Sequence, residues 1–187
     1  MAEFNLQEFL KTRAAQDLNK IGFYVVDQLR RTLQIQGHSL TGALEKSIES
    51  VSDRLNDGFI IKFYYEQYGT AVDAGISKDR IPYTPGEKRA DTSKYIEGLV
   101  KYVQQRMNIS GDKDALSAAF AIARKHKNEG MSTIASKEFS DTKQRNKWVD
   151  NTLERIDEAL AEKINDIIWH ILDDMVFNAV KTYGTTK

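Results

Sequence analysis

From residue 6 to residue 33 the apolar positions Leu6, Phe9, Leu10, Leu18, Ile21, Val25, Leu29 and Leu33 recur at steps of three, four or one, with a gap at 11–17. That spacing predicts an N-terminal helix over about 5–33 with one apolar stripe. Asn5 stands where an N-cap would, with Glu8 three residues on, as in a capping box. Gly22 interrupts the pattern at a cost of about 1 kcal/mol relative to alanine. It is either tolerated there or permits a close crossing by a neighbour. Leu40, Leu44 and Ile48 then lie four apart, which predicts a short helix with Ser39 as its N-cap.

The period next changes to two. Phe59, Ile61, Phe63 and Tyr65 alternate with Ile60, Lys62, Tyr64 and Glu66, after the run 49–54 and the turn residues Asn56, Asp57 and Gly58. A β-hairpin follows, with some apolar mass on both faces. Its second strand is expected to end in a bend bracketed by Gly69 and Gly75, at least one of them at positive φ. Residues 76–93 hold both prolines and seven charged residues, and Ile81-Pro82-Tyr83-Thr84-Pro85-Gly86 fits neither a helix interior nor a central strand. Long loops without structure of their own are uncommon unless they act. The loop is therefore expected either to reach a neighbouring subunit or to be a solvated connector. Ile81 and Tyr83 have no obvious place in their own chain.

Two helices are predicted next. The first starts near Ser93, with Ile96, Leu99, Val100, Val103 and Met107 on one face. The second starts near Asp114, with Leu116, Ala119, Phe120, Ile122 and Ala123, and stops at Gly130. Lys125, His126 and Lys127 fall in its last turn, where the helix dipole favours cations. From 141 to 183 there is no glycine or proline, and Val149, Leu153, Ile156, Leu160, Ile164, Ile167, Ile171 and Met175 step by three or four. A helix of ~40 residues would be ~60 Å long and must protrude, bend or lie along another subunit. Ile168, Leu172 and Val176 widen its stripe, so the distal half is expected to be the more deeply buried, with Trp169 and His170 in core roles. The fold class is thus α+β: a small, mainly antiparallel sheet packed against helices over 1–140, with a long C-terminal helix over 141–187.

The stretch 39–75 also carries a resemblance. Ser39-Leu40-Thr41-Gly42-Ala43-Leu44-Glu45-Lys46-Ser47-Ile48, a hairpin, and Tyr68-Gly69-Thr70-Ala71-Val72-Asp73-Ala74-Gly75 resemble the T-G-x-L-x-x-S-I helix, hairpin and Y-x-x-x-V-[DE]-x-G bend of tail-completion, or head–tail joining, proteins of tailed bacteriophages. Phe120-Ala121-Ile122-Ala123-Arg124-Lys125, followed by Glu129-Gly130-Met131, is similar to the family's later A-F-A-I-A-[RK] helix. The likeness covers about 39–133. It departs from the family where Gly69-Thr70 precedes Val72-Asp73, and in the longer tail after Phe139. It implies a structural virion protein, assembled in the host cytoplasm, that forms a homo-oligomeric ring of roughly six or twelve copies. That ring would lie in the neck between portal-side connector and tail proteins, with DNA passing through its lumen.

Charge refines this picture. Lysine plus arginine number 27 and aspartate plus glutamate 27, so the formal net charge is zero, which disfavours coating nucleic acid or an anionic membrane. The distribution is uneven. Eight acidic residues face Arg155 and Lys163 between Asp150 and Asp174, and seven basic residues face three acidic ones between Arg124 and Lys147. Such blocks dock either within one chain or between neighbours. The expected subunit-interface residues are Ile81, Pro82, Tyr83, Lys143, Arg145 and Trp148.

No cysteine is present, which excludes disulfides and thiolate chemistry. No apolar run approaches the ~20 residues of a membrane span, and no membrane partner is expected. The acidic N-terminus differs from a signal peptide, so a cytoplasmic protein is expected. No phosphate loop, H-E-x-x-H or G-x-S-x-G occurs, and His38, His126 and His170 are scattered. Asp73, Asp79 and Asp91 match no metal-site spacing. The expectation is a non-enzyme without cofactor or metal. The alternative is a cytoplasmic nucleic-acid- or protein-binding adaptor using the basic run near Trp148.

Overall fold

The computed structural model describes residues 6–38, 41–55, 58–86, 91, 93–143 and 145–183. In chain order they form α1 (Leu6–Ile35), α2 (Ala43–Ser47), β1 (Glu49–Arg54), β2 (Phe59–Tyr64), α3 (Tyr68–Ala74), a 3-10 turn at Lys78–Arg80, α4 (Lys94–Arg106), α5 (Asp112–Glu129), a second 3-10 turn at Ala135–Phe139, and α6 (Trp148–Tyr183). The α+β class, the small antiparallel sheet and the long C-terminal helix hold. The expected caps Asn5 and Ser39, with Leu40 and the turn residues Asn56 and Asp57, lie outside the described residues.

Two compact units emerge, divided differently from 1–140 and 141–187. The first comprises Met1–Arg31, Ser47–Tyr65 and Asp150–Lys187, and the second Thr32–Lys46 and Glu66–Val149.

In the first unit, β1 and β2 pair antiparallel in register from Glu49↔Tyr64 to Arg54↔Phe59. Directly opposite residues share a face, so Val51, Asp53, Ile60, Lys62 and Tyr64 line one side, where Lys62 Nζ meets Asp53 Oδ2 at 2.6 Å. A two-stranded hairpin is marginal alone and needs a helix beneath it. Gly22 of α1 supplies the approach: a Cβ there would stand 2.7 Å from Ser50 Oγ. The close-crossing reading of Gly22 is the one the packing supports. Ile21, Val25, Val26 and Leu29 are buried on the inner side of α1.

Side chains of α6 meet α1 at three levels. Asp174 Oδ2 lies 3.5 Å from Arg13 Nη2, Lys163 Nζ sits 4.8 Å from the centre of the Tyr24 ring, and Arg155 Nη2 donates to the Gln28 carbonyl at 3.2 Å. Residue numbers rise on one helix as they fall on the other, so the two run antiparallel. The long helix therefore has a partner within its own chain along one side.

In the second unit, α4 and α5 carry the core. Ser93 caps α4 by accepting from the Ile96 N–H at 3.2 Å. Gly130, at φ 83°, ends α5, and its N–H donates to the His126 carbonyl at 2.8 Å. Ala115, Ala119 and Ala123, four apart, are fully buried and keep one face of α5 narrow. Ile81 and Tyr83 form one buried cluster with Ile96, Ala119 and Ala123, and Phe120 and Leu99 pack around it.

Three expectations are corrected. Residues 68–74 form helix α3 rather than a bend. Gly75, at φ 75°, ends it, so the expected positive φ is found at one of the two glycines. The C-terminal helix starts at Trp148, not near 141, because Lys143 and Lys147 take φ of 58° and 54°, which a helix does not allow. The distal half of α6 is its more exposed half: Trp169 is 65% exposed, and His170 is exposed as well.

Candidate interaction surface

The six residues expected at a subunit interface separate by burial. Ile81 and Tyr83 lie in the core of their own unit, so the expectation that they lack a place in their own chain fails. Alanines at 119 and 123 leave the room they occupy. Lys127 Nζ secures the segment by donating to the Ile81 carbonyl at 3.3 Å. Trp148 is fully buried, and its Nε1–H donates to the Gly69 carbonyl at 3.3 Å.

Arg145 staples its own unit. Nη1 donates to the Ser136 carbonyl at 3.2 Å and Nη2 to the Gly37 carbonyl at 3.1 Å, and burial lowers its pKa. Only Pro82 and Lys143 are exposed among the six, and Lys143 pairs with Glu138. A residue's polarity in sequence did not separate anchors of the fold from free surface.

Most of the exposed large apolar side chains among the described residues lie elsewhere, in the first unit. On α6, Ile164, Ile168, Leu172, Val176 and Val180 form an exposed row at steps of four. Trp169 and Phe177 flank it. Phe177 is 68% exposed and Val176 63%. On the inner side the same stretch carries Ile167, Ile171 and Met175, which are half-buried. The apolar stripe of this stretch is thus wider than the side that packs on its own chain. Val51, Ile60 and Tyr64 on the outer hairpin face, with Phe59 and Phe23, are exposed in the same unit.

Of the carboxylates considered for metal chemistry, Asp73 has a structural role. Asp73 Oδ1 accepts the Val149 N–H at 3.0 Å, and the Asp73 carbonyl accepts from Lys147 N–H at 2.7 Å, so Asp73 caps the start of α6. Asp79 and Asp91 are exposed. Among the described residues no group of three or more His, Asp or Glu side chains is placed to hold a metal ion.

The histidines also have structural surroundings. His126 Nδ1 and the Tyr95 hydroxyl share a 2.7 Å hydrogen bond. Burial holds His126 below the ordinary histidine range and pushes Tyr95 up to about 12. His38 Nε2–H donates to the Arg145 carbonyl at 2.9 Å, and burial lowers its pKa too.

The basic segment 124–147 is a surface of the second unit. Arg124, Lys125, Lys137, Lys143 and Lys147 are exposed, and Ile134 of the same segment is 74% exposed. Two of these cations are partly neutralised, Lys125 by Glu129 and Lys143 by Glu138. Compared with known proteins, the chain matches no family model, no curated protein and no solved structure.

Proposed function

We propose that this chain is a structural subunit that acts only in an assembly, and that the assembly is the neck of a tailed bacteriophage. In it the chain forms a homo-oligomeric ring that completes the tail or joins it to the portal-side connector, with DNA passing through the lumen of the virion. The observation that carries the reading is the exposed apolar surface of the first unit, above all the row Ile164 to Val180 on α6. Each large apolar side chain left in water forgoes about 1.5–3 kcal/mol of burial, and contiguous exposed apolar surface marks an interaction site. Asp166 and Asp173 are exposed in the same stretch of helix, which suits a protein surface better than hydrocarbon. No described helix is long and apolar enough to cross a membrane. The motifs at 41–48, 68–75 and 120–131 supply the phage half of the proposal by resemblance alone.

Electron micrographs of the purified chain test it directly. Closed rings of roughly six or twelve copies support the neck reading. The adaptor reading rests on the exposed lysines of 124–147. A lone chain that binds duplex DNA with steep salt dependence would replace the ring with that reading.

A further inference from the structure

Most residues of the two charge blocks are exposed, and the blocks belong to different units. On α6, Asp150, Glu154, Asp157, Glu158 and Glu162 are exposed, beside the exposed Leu153 and Ile164. On the second unit, the segment 124–147 carries the exposed cations Arg124, Lys125, Lys137, Lys143 and Lys147 and the exposed Ile134. Each segment joins exposed charge to exposed apolar side chains, and the signs of the excess charge are opposite. We infer that the outer face of α6 docks against the 124–147 surface of a second copy of this chain, head to tail.

The charge pattern selects this arrangement over two others. A two-fold pairing of α6 with α6 would bring two acidic faces together, which like-charge repulsion opposes. Nucleic acid as the occupant of 124–147 fits less well. The segment carries Glu129, Glu138 and Asp141, two of its cations are already paired, and it exposes an isoleucine, Ile134. A head-to-tail contact of unlike patches repeats from copy to copy and closes into a ring when the rotation allows. The inference rests on the self-assembly reading above and adds to it which surfaces meet.

Charge exchange between copies tests it. One variant carries Lys137→Glu and Lys143→Glu, and the other carries Glu154→Lys and Glu158→Lys. All four positions are exposed, so circular dichroism should show both variants folded as the parent is. Light scattering should then give each variant alone the mass of one chain, 21.3 kDa. An equimolar mixture should regain the parent's assembled mass, because each surface then meets its opposite on the other variant. Added salt should weaken the parent assembly. Assembly of either variant alone at the parent's mass, or failure of the folded pair to assemble together, overturns the proposed contact while leaving self-assembly standing. Binding of duplex DNA by the parent, lost with Lys137→Glu and Lys143→Glu, also overturns it by assigning the basic surface to nucleic acid. A parent chain that stays at one-chain mass at every concentration defeats the self-assembly reading itself, and the inference with it.

Discussion

Ile76 and Met131 exchange both backbone hydrogen bonds, each 2.8 Å long, across an isolated antiparallel bridge. A glycine precedes each partner. Gly75 (φ 75°) and Gly130 (φ 83°) both lie in the left-handed half of backbone space. A Cβ on Gly75 would stand 2.5 Å from the Met131 carbonyl oxygen, and one on Gly130 would stand 2.7 Å from that of Ile76. Gly75→Val and Gly130→Val are therefore each expected to lower stability by more than ~1 kcal/mol, through backbone strain and steric overlap together. Thermal unfolding checks this. Gly69→Ala lies inside α3 and lacks the φ component of that penalty.

Asp73 predicts a second effect. Its carboxylate satisfies the Val149 N–H at the start of α6, and loss of such a cap costs about 1 kcal/mol. Asp73→Ala should lower the unfolding midpoint, and Asp73→Asn should retain most of it. No hydrolytic activity toward DNA or RNA should depend on Asp73, Asp79 or Asp91. A magnesium-dependent cleavage lost on their joint replacement by asparagine would refute the structural role.

Histidine burial predicts the acid limb of stability. His126 and His38 have pKa values below the ordinary 6.5, so at and below pH 6.5 the unfolded chain binds protons that the folded chain does not. Their neutral burial is fully compatible with folding above that value, and stability falls as pH drops below it towards their folded pKa values. Denaturant unfolding from pH 7.5 to 5 should show this decline, and His126→Gln should flatten it.

Much of the architecture was legible in the sequence because local pattern and tertiary role agree there. The period-two run at 59–65 became β2, the stripe around Ile96 and Val103 became α4, and Gly130 closed α5. What was not legible depended on distant partners. Ile81 and Tyr83 carry no local signal of burial, because the residues that enclose them, Ile96, Ala119 and Ala123, lie far along the chain. Lys143 and Lys147 hid the true start of α6, since lysine at positive φ leaves no compositional signal. The distal half of α6 misled in the other direction. Its apolar pattern is that of a buried helix, yet the row Ile164 to Val180 is exposed. Ile81, Tyr83 and Trp148, expected at a subunit interface, are buried in their own unit and hold its fold together.

The central claim is that the exposed row on α6 is covered by another copy of the chain. Light scattering across a range of concentrations, on the parent and on Leu172→Glu with Val176→Glu, tests it most directly. Both residues are exposed, so the variant should keep the parent's fold and thermal midpoint. The account predicts that the parent exceeds the 21.3 kDa of one chain and that the variant does not. A parent that remains a single chain throughout, or a variant that assembles as the parent does, would contradict it.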